Sequence, residues 1–325
     1  MDKQQFQPTQ QSDTIPAELP PTGVEQSQSA PPEAAPAKPK KQPKPKFQKP
    51  LLGALGWFGF AYLVCNIVAA CAFTIDPMDP ESERKTLFMS LLLAVGGIIS
   101  LFLFHKIYEP DGFHNFAKNG SIKLAALLII PAILYNLTGI FFATRMPSAR
   151  TTILSFQAGI AEEVMFRALP IAYMIRAYKF DEKKVAIPVV VTGVSFGLFH
   201  ATNMLMGAPL KTTIYQVAAC IGIGILFGAV YMRSGNIIFC MVSHVLQDFI
   251  ALLNESSVSE DGIMKDIEFT ADVILDIALI AVFIIIGMFY IRKSKRGEIV
   301  ERWKKIWSYT DETEVPAEPV QIETV

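Results

Sequence analysis

Apolar residues run through this chain in eight long stretches, near 51–75, 86–105, 122–143, 151–175, 185–206, 212–232, 236–254 and 271–291. Each is long enough to cross a bilayer, since about 20 helical residues span a ~30 Å hydrocarbon core. The pattern predicts an all-α fold, a polytopic membrane helix bundle with about eight transmembrane helices. The fourth, fifth and seventh stretches are the least uniformly apolar. Ionisable side chains at membrane depth are costly, so those inside these three stretches mark function by default.

The polar segments supply the domain plan and the topology. Residues 1–50 hold 11 of the 21 prolines and no apolar core that would make a signal peptide, so a disordered Pro/Lys-rich cytoplasmic tail is expected there. A transmembrane domain over 51–292 and a cytoplasmic C-terminal tail over 293–325 complete the expected organisation. The formal net charge of -1 hides an asymmetry. Six lysines, from Lys38 to Lys49, precede the first stretch, and seven basic residues from Arg292 to Lys305 follow the last. Connections after stretches two, four and six add Lys106, Lys118, Lys123, Arg176, Lys179, Lys183, Lys184 and Arg233, whereas the alternate loops carry fewer. Lysine and arginine favour the cytoplasmic side, which places both termini inside a multi-pass protein of the cell membrane.

Composition narrows the class. Apolar residues make up 51% of the chain and charged residues only 18%, which excludes an ordinary water-soluble domain. The expected partners are the lipid bilayer and a membrane-embedded or lipid-associated peptide or protein substrate, with no nucleic acid. Four cysteines, Cys65, Cys71, Cys220 and Cys240, fall in apolar stretches without metal-type spacing and are expected to pack as small apolar side chains. No internal repeat is visible, which disfavours a repeat-built transporter.

Polar positions within three stretches converge on one depth. At ~1.5 Å of rise per residue, Glu162, Glu163, His200, His244 and Asp248 all fall in the central band of their helices. Glu163 and Arg167 are spaced i,i+4, as are Phe196 and His200, and His244 and Asp248, so each pair shares a helix face. Glu162 is rotated from Glu163 by about 100° on an α-helix, so the two carboxylates are expected to face different neighbours. Glu163 is then a brace for Arg167, and Glu162 is free to face a cavity.

Two imidazoles and a free carboxylate in a dry site suit the activation of water. Desolvation makes a carboxylate a better base, one histidine can hold the water, and a second can donate to a developing oxyanion. The same side chains are also standard zinc ligands, although no HExxH is present. Taken singly, each residue has an ordinary structural role, as a hydrogen-bonded core histidine, a helix cap or a Glu-Arg brace. Their joint occurrence in three stretches carries the functional reading. His105 and His114, at a stretch end and in a loop, receive no role.

The motifs Glu162-Glu163-x-x-x-Arg167, Phe196-x-x-x-His200 and His244-x-x-x-Asp248 resemble the three signatures of the CPBP family of CAAX proteases and bacteriocin-processing enzymes. That family includes the CAAX prenyl protease of the Rce1 type and bacterial Abi proteins. The likeness covers roughly 80–255, with a motif core about 150–255. It implies an intramembrane endopeptidase acting on membrane-associated peptides or protein C-termini. By position, it implies that Glu162 and His200 activate water, that His244 and Asp248 stabilise the oxyanion, and that Glu163 and Arg167 organise the site. Family members are often labelled metalloproteases; no cofactor is required under a glutamate-dependent mechanism, and zinc is the alternative. Two positions depart from the pattern. Asp248 stands where Asn is common, and an ionised Asp cannot donate to an oxyanion; Ala168 stands where Gly is common, with Pro170 close behind to bend the helix. The competing readings are a catalytically silent membrane regulator or bacteriocin-immunity protein, and a proton-coupled transporter.

Overall fold

The computed structural model describes residues 49–74, 83–108, 120–141, 143–254, 265–266 and 271–309. Nearly all of the expected N-terminal tail over 1–50, residues 310–325 of the expected C-terminal tail, His114 and Lys118 lie outside the described residues, whereas the first part of the C-terminal tail is a helix whose Ile299, Val300, Trp303 and Ile306 are buried. Every regular element among the described residues is helical. In chain order these are α1 (Pro50–Ala70), α2 (Glu83–Tyr108), α3 (Ile122–Leu128), α4 (Ile130–Ile140) and α5 (Ala149–Gln157). Then come α6 (Leu169–Ala177), α7 (Ala186–Phe199), α8 (Leu210–Ser234), α9 (Ile238–Leu253), α10 (Ala271–Tyr290) and α11 (Arg296–Ile306).

The all-α membrane fold is as expected, but the count of about eight spans is revised. Among the described residues, four helical segments are long and apolar enough to cross alone: Pro50–Ala70, Glu83–Tyr108, Glu182–Met206 and Leu210–Ser234. Two bent pairs, α3 with α4 at 50° and α10 with α11 at 47°, bring the number to as many as six if each pair is one span. Helices also occupy the remaining two predicted stretches, and both fall short for physical reasons. The fourth stretch carries Glu162, Glu163 and Arg167 and is interrupted by turns wider than an α-helix. The seventh, α9, has only 16 residues, or ~24 Å at the α-helical rise. These two elements bear most of the candidate chemistry.

Burial is arranged for lipid. Large apolar side chains such as Leu55, Ile67, Leu127 and Ile285 point outward, while Glu163, Arg167, Asn136 and His244 are buried inside. Small residues let the helices come close, the usual device where lipid tails compete for apolar contact. At the α7–α8 crossing a Cβ on Gly193 would lie 2.8 Å from the backbone nitrogen of Ile225, so only glycine fits. Gly159 does the same for α9, where a Cβ would meet the Val245 nitrogen at 2.7 Å.

Polar contacts fix the helices that flank the site. Ser148 and Thr151 form a reciprocal capping box at the start of α5, which satisfies its first donors. The buried Asn136 amide on α4 donates to the Ser243 carbonyl on α9 at 2.9 Å. The carbonyl of Leu253 at the end of α9 accepts from the Thr144 and Arg145 backbone nitrogens, both at 2.9 Å. Gly235, in the left-handed region at φ 68°, ends α8 by returning its N–H to Tyr231. At one end of the bundle, Trp303 of α11 donates to the Met232 carbonyl at 2.7 Å and the Arg176 guanidinium lies over Trp307.

Candidate active site

The stretch that carries the glutamate pair leaves the α-helical path. Ala158–Glu162 and Val164–Ala168 are π-helical turns, separated by Glu163. Such turns are rare and often occur at functional sites. Pro170 gives a local reason for the second one. It has no N–H to donate to the Phe166 carbonyl, and its ring would crowd that oxygen. The Leu169 nitrogen bonds instead to Val164, five residues back. Tyr231 of α8 donates to the adjacent Ala168 carbonyl at 3.4 Å. Pro170 therefore goes with a widened turn before α6, the local distortion that the sequence anticipated as a bend.

Within this stretch the expected brace is present. Arg167 Nη1 lies 2.9 Å from Glu163 Oε1, and both side chains are fully buried. The arginine also stacks its guanidinium 3.8 Å from the centre of the Phe196 ring, a cation–π contact strengthened by the dry surroundings. Gly224 leaves room for it, since a Cβ there would come 3.1 Å from Arg167 Nη2.

Glu163 does more than brace Arg167. The same Oε1 accepts a hydrogen bond from His244 Nδ1 at 2.8 Å, across 81 residues of sequence. A carboxylate accepts only, so Nδ1 carries the proton and Nε2 is the working nitrogen. That nitrogen lies 3.8 Å from Glu162 Oε2 and 3.8 Å from Asp248 Oδ1. The expectation that the two glutamates face different neighbours is thus corrected: they address one imidazole from its two nitrogens. A π turn rotates less per residue than an α-helix, which brings consecutive side chains closer to one face.

Phe196 connects the second histidine to this group. Its ring meets His200 edge-on with centroids 4.7 Å apart and His244 at 5.7 Å. His200 sits where α7 tightens into the 3-10 segment His200–Met206. Its Nδ1–H donates to the Phe196 carbonyl at 2.9 Å, which leaves Nε2 as an acceptor. All six predicted side chains therefore belong to one neighbourhood, although His200 joins it through Phe196.

Exposure grades the carboxylates. Glu163 is sealed, Glu162 retains 18% of its side-chain surface and Asp248 32%. A substrate group can reach the last two but not the first. Among the described residues no group of three or more His, Cys, Asp or Glu side chains is disposed to hold a metal ion.

Sequence reasoning missed a polar group beside this site. Tyr215 of α8 donates to Asp276 of α10 at 2.8 Å. An aspartate one turn inside an otherwise apolar helix, past Asp272 near its start, was the available signal.

No curated protein and no solved structure matches this chain. Residues 144–250, which contain all six site side chains, match the family model described as type II CAAX prenyl endopeptidase Rce1-like, so the segment that carries the site is Rce1-like, as the three motifs implied.

Proposed function

We propose that this chain is an intramembrane endopeptidase that hydrolyses a peptide bond of a membrane-associated peptide or protein C-terminus, using water activated by Glu162. The observation that carries the reading is the fixed imidazole of His244, tied to Glu163 at 2.8 Å and facing Glu162 and Asp248 at 3.8 Å each. An imidazole so oriented presents Nε2 where a developing oxyanion needs a donor. The Rce1-like match over the same residues supports the same reaction class.

Glu162 accepts a proton from water as the water oxygen bonds to the scissile carbonyl carbon. His200 Nε2, held in place by the Phe196 carbonyl bond, accepts from that water and orients it. Protonated His244 donates from Nε2 to the oxyanion, and the Glu163 carboxylate stabilises the resulting imidazolium at Nδ1. Asp248 holds His244 from its own helix face rather than donating to the oxyanion. Collapse of the tetrahedral species breaks the C–N bond, and Glu162 returns its proton to the leaving amine. Both termini are assigned to the cytoplasmic side of the cell membrane.

The test uses purified full-length protein in detergent with membrane peptides as substrates. Glu162→Gln and His200→Ala should each lower kcat by about 10²–10⁴-fold, the usual worth of general acid–base groups. Full activity in both variants would sink the enzymatic reading in favour of a regulator or transporter. Stoichiometric zinc, with activity lost to a chelator and restored by the metal, would replace the metal-free chemistry.

A further inference from the structure

Next to the site, four helices enclose a second polar space. Tyr135 of α4, Tyr215 of α8, Gln247 of α9 and Asp276 of α10 line a cavity of about 30 Å³, closed elsewhere by apolar side chains including Ala219 and Ile223. Its polar atoms are incompletely used. Tyr215 donates to Asp276 Oδ2 at 2.8 Å, but Gln247 Oε1 is buried and has no hydrogen-bond partner within the protein. A buried acceptor left in that state costs about 1–3 kcal/mol. None of these four residues belongs to the three motifs.

Size and lining identify the occupant. About 10–15 Å³ of space for water centres is enough to hold one water, so this cavity has room for one or more, and a buried water needs two to four polar partners. This cavity offers an unpartnered amide oxygen, a carboxylate and two phenols. An apolar group would leave those atoms unsolvated. The position is as telling as the composition. Gln247 immediately precedes Asp248 on α9. Cys220 follows the cavity residue Ala219 on α8.

We infer that the cavity bounded by Tyr135, Tyr215, Gln247 and Asp276 is a water-binding site that supplies the adjoining catalytic centre. Its water donates to Gln247 Oε1 and to Asp276. A hydrolase whose site lies among apolar helices needs one water per turnover, and a stationed water shortens its path. The Tyr215 bond holds the Asp276 carboxylate toward the space, so Tyr215 is a positioning residue. The inference rests on the hydrolytic reading of Glu162 and His200 but can fail separately from it.

Two measurements decide it. The first is occupancy, read from a high-resolution structure of the full-length Glu162→Gln protein, which requires no turnover. Density within hydrogen-bond distance of Gln247 Oε1 at water-like distances is expected; an empty space, or an ion in that place, would overturn the inference. The second is kinetic. Gln247→Leu, which removes the acceptor at similar volume, should lower kcat about tenfold with KM nearly unchanged, whereas Gln247→Glu, which keeps an acceptor, should retain most of the rate. Tyr215→Phe should give the same split to a smaller extent. Thermal unfolding of Gln247→Leu should fall only slightly, by the one water-mediated bond lost, so a tenfold loss of kcat in a folded variant separates supply from stability. Unaltered kcat in Gln247→Leu, alongside an inactive Glu162→Gln, rejects the supply site and leaves the protease reading intact. An active Glu162→Gln rejects the protease reading itself.

Discussion

A single imidazole, that of His244, receives a carboxylate at each of its nitrogens, and the buried charges behind it explain why that arrangement persists. Glu163 Oε1 is shared by Arg167 at 2.9 Å and His244 at 2.8 Å, with no water-exposed surface on the Glu163 or Arg167 side chain. Removing one member of a buried pair leaves the other charge uncompensated, at a cost of about 3–5 kcal/mol. Glu163→Gln should therefore lower thermal stability in detergent sharply, and Arg167→Met should do likewise. The double variant should recover much of the loss, because no buried charge remains unpaired. Additive losses in the double variant would show that the pair is not coupled. Activity should stay low in all three, with Glu163→Gln costing about 10–100-fold through the released imidazole. The Glu163–Arg167 partnership was legible in the sequence because i,i+4 spacing is a local property. The Glu163–His244 bond was not, since it depends on how α9 packs against a stretch 81 residues away.

At the scale of elements, the same stretch shows what apolar pattern conveys and what it omits. Runs of apolar residues located the helices from α1 to α10, because solvation in lipid is a property of composition, but not α11, which lies in the expected tail. The pattern is blind to whether a turn closes at four residues or five, so the π turns at Ala158–Glu162 and Val164–Ala168 had no compositional trace apart from Pro170. Asp276 was a different kind of omission. Its signal was visible, a carboxylate one turn inside an apolar helix, but it stood outside the three motifs. The π geometry yields its own prediction. Pro170→Ala restores an N–H that can bond to the Phe166 carbonyl and favours relaxation of the adjacent wide turn toward an α-helix. That change rotates Glu162 and Glu163 relative to α9. Displacements near 1 Å at a catalytic group can cost about 10²-fold, so kcat should fall by that order while thermal stability holds or rises. Wild-type kcat in Pro170→Ala would mean that the wide turns persist without the proline or do not matter for the site.

For the whole molecule, the charge asymmetry and the packing point to one orientation. The helix ends bearing Arg176, Arg233 and the α11 basic residues are joined at one end of the bundle. Arg233 donates to the Tyr290 carbonyl at 3.2 Å, Trp303 to the Met232 carbonyl at 2.7 Å, and Arg176 lies over Trp307. Aromatic side chains with polar tips favour the membrane interface, and lysine and arginine favour its cytoplasmic face. α11 suits the same boundary, with Ile299, Val300, Trp303 and Ile306 turned inward and Glu298, Glu301 and Arg302 on its other faces. The opposite end carries Arg145 and Arg150 near the start of α5. The predicted topology thus separates Lys183 from Arg150 by the full membrane. With the four native cysteines replaced, Lys183→Cys should resist a membrane-impermeant maleimide in intact cells and react once the membrane is permeabilised. Arg150→Cys should react in both conditions. The reverse labelling pattern would invert the orientation and place the more exposed carboxylates, Glu162 and Asp248, in reach of substrates from the other side.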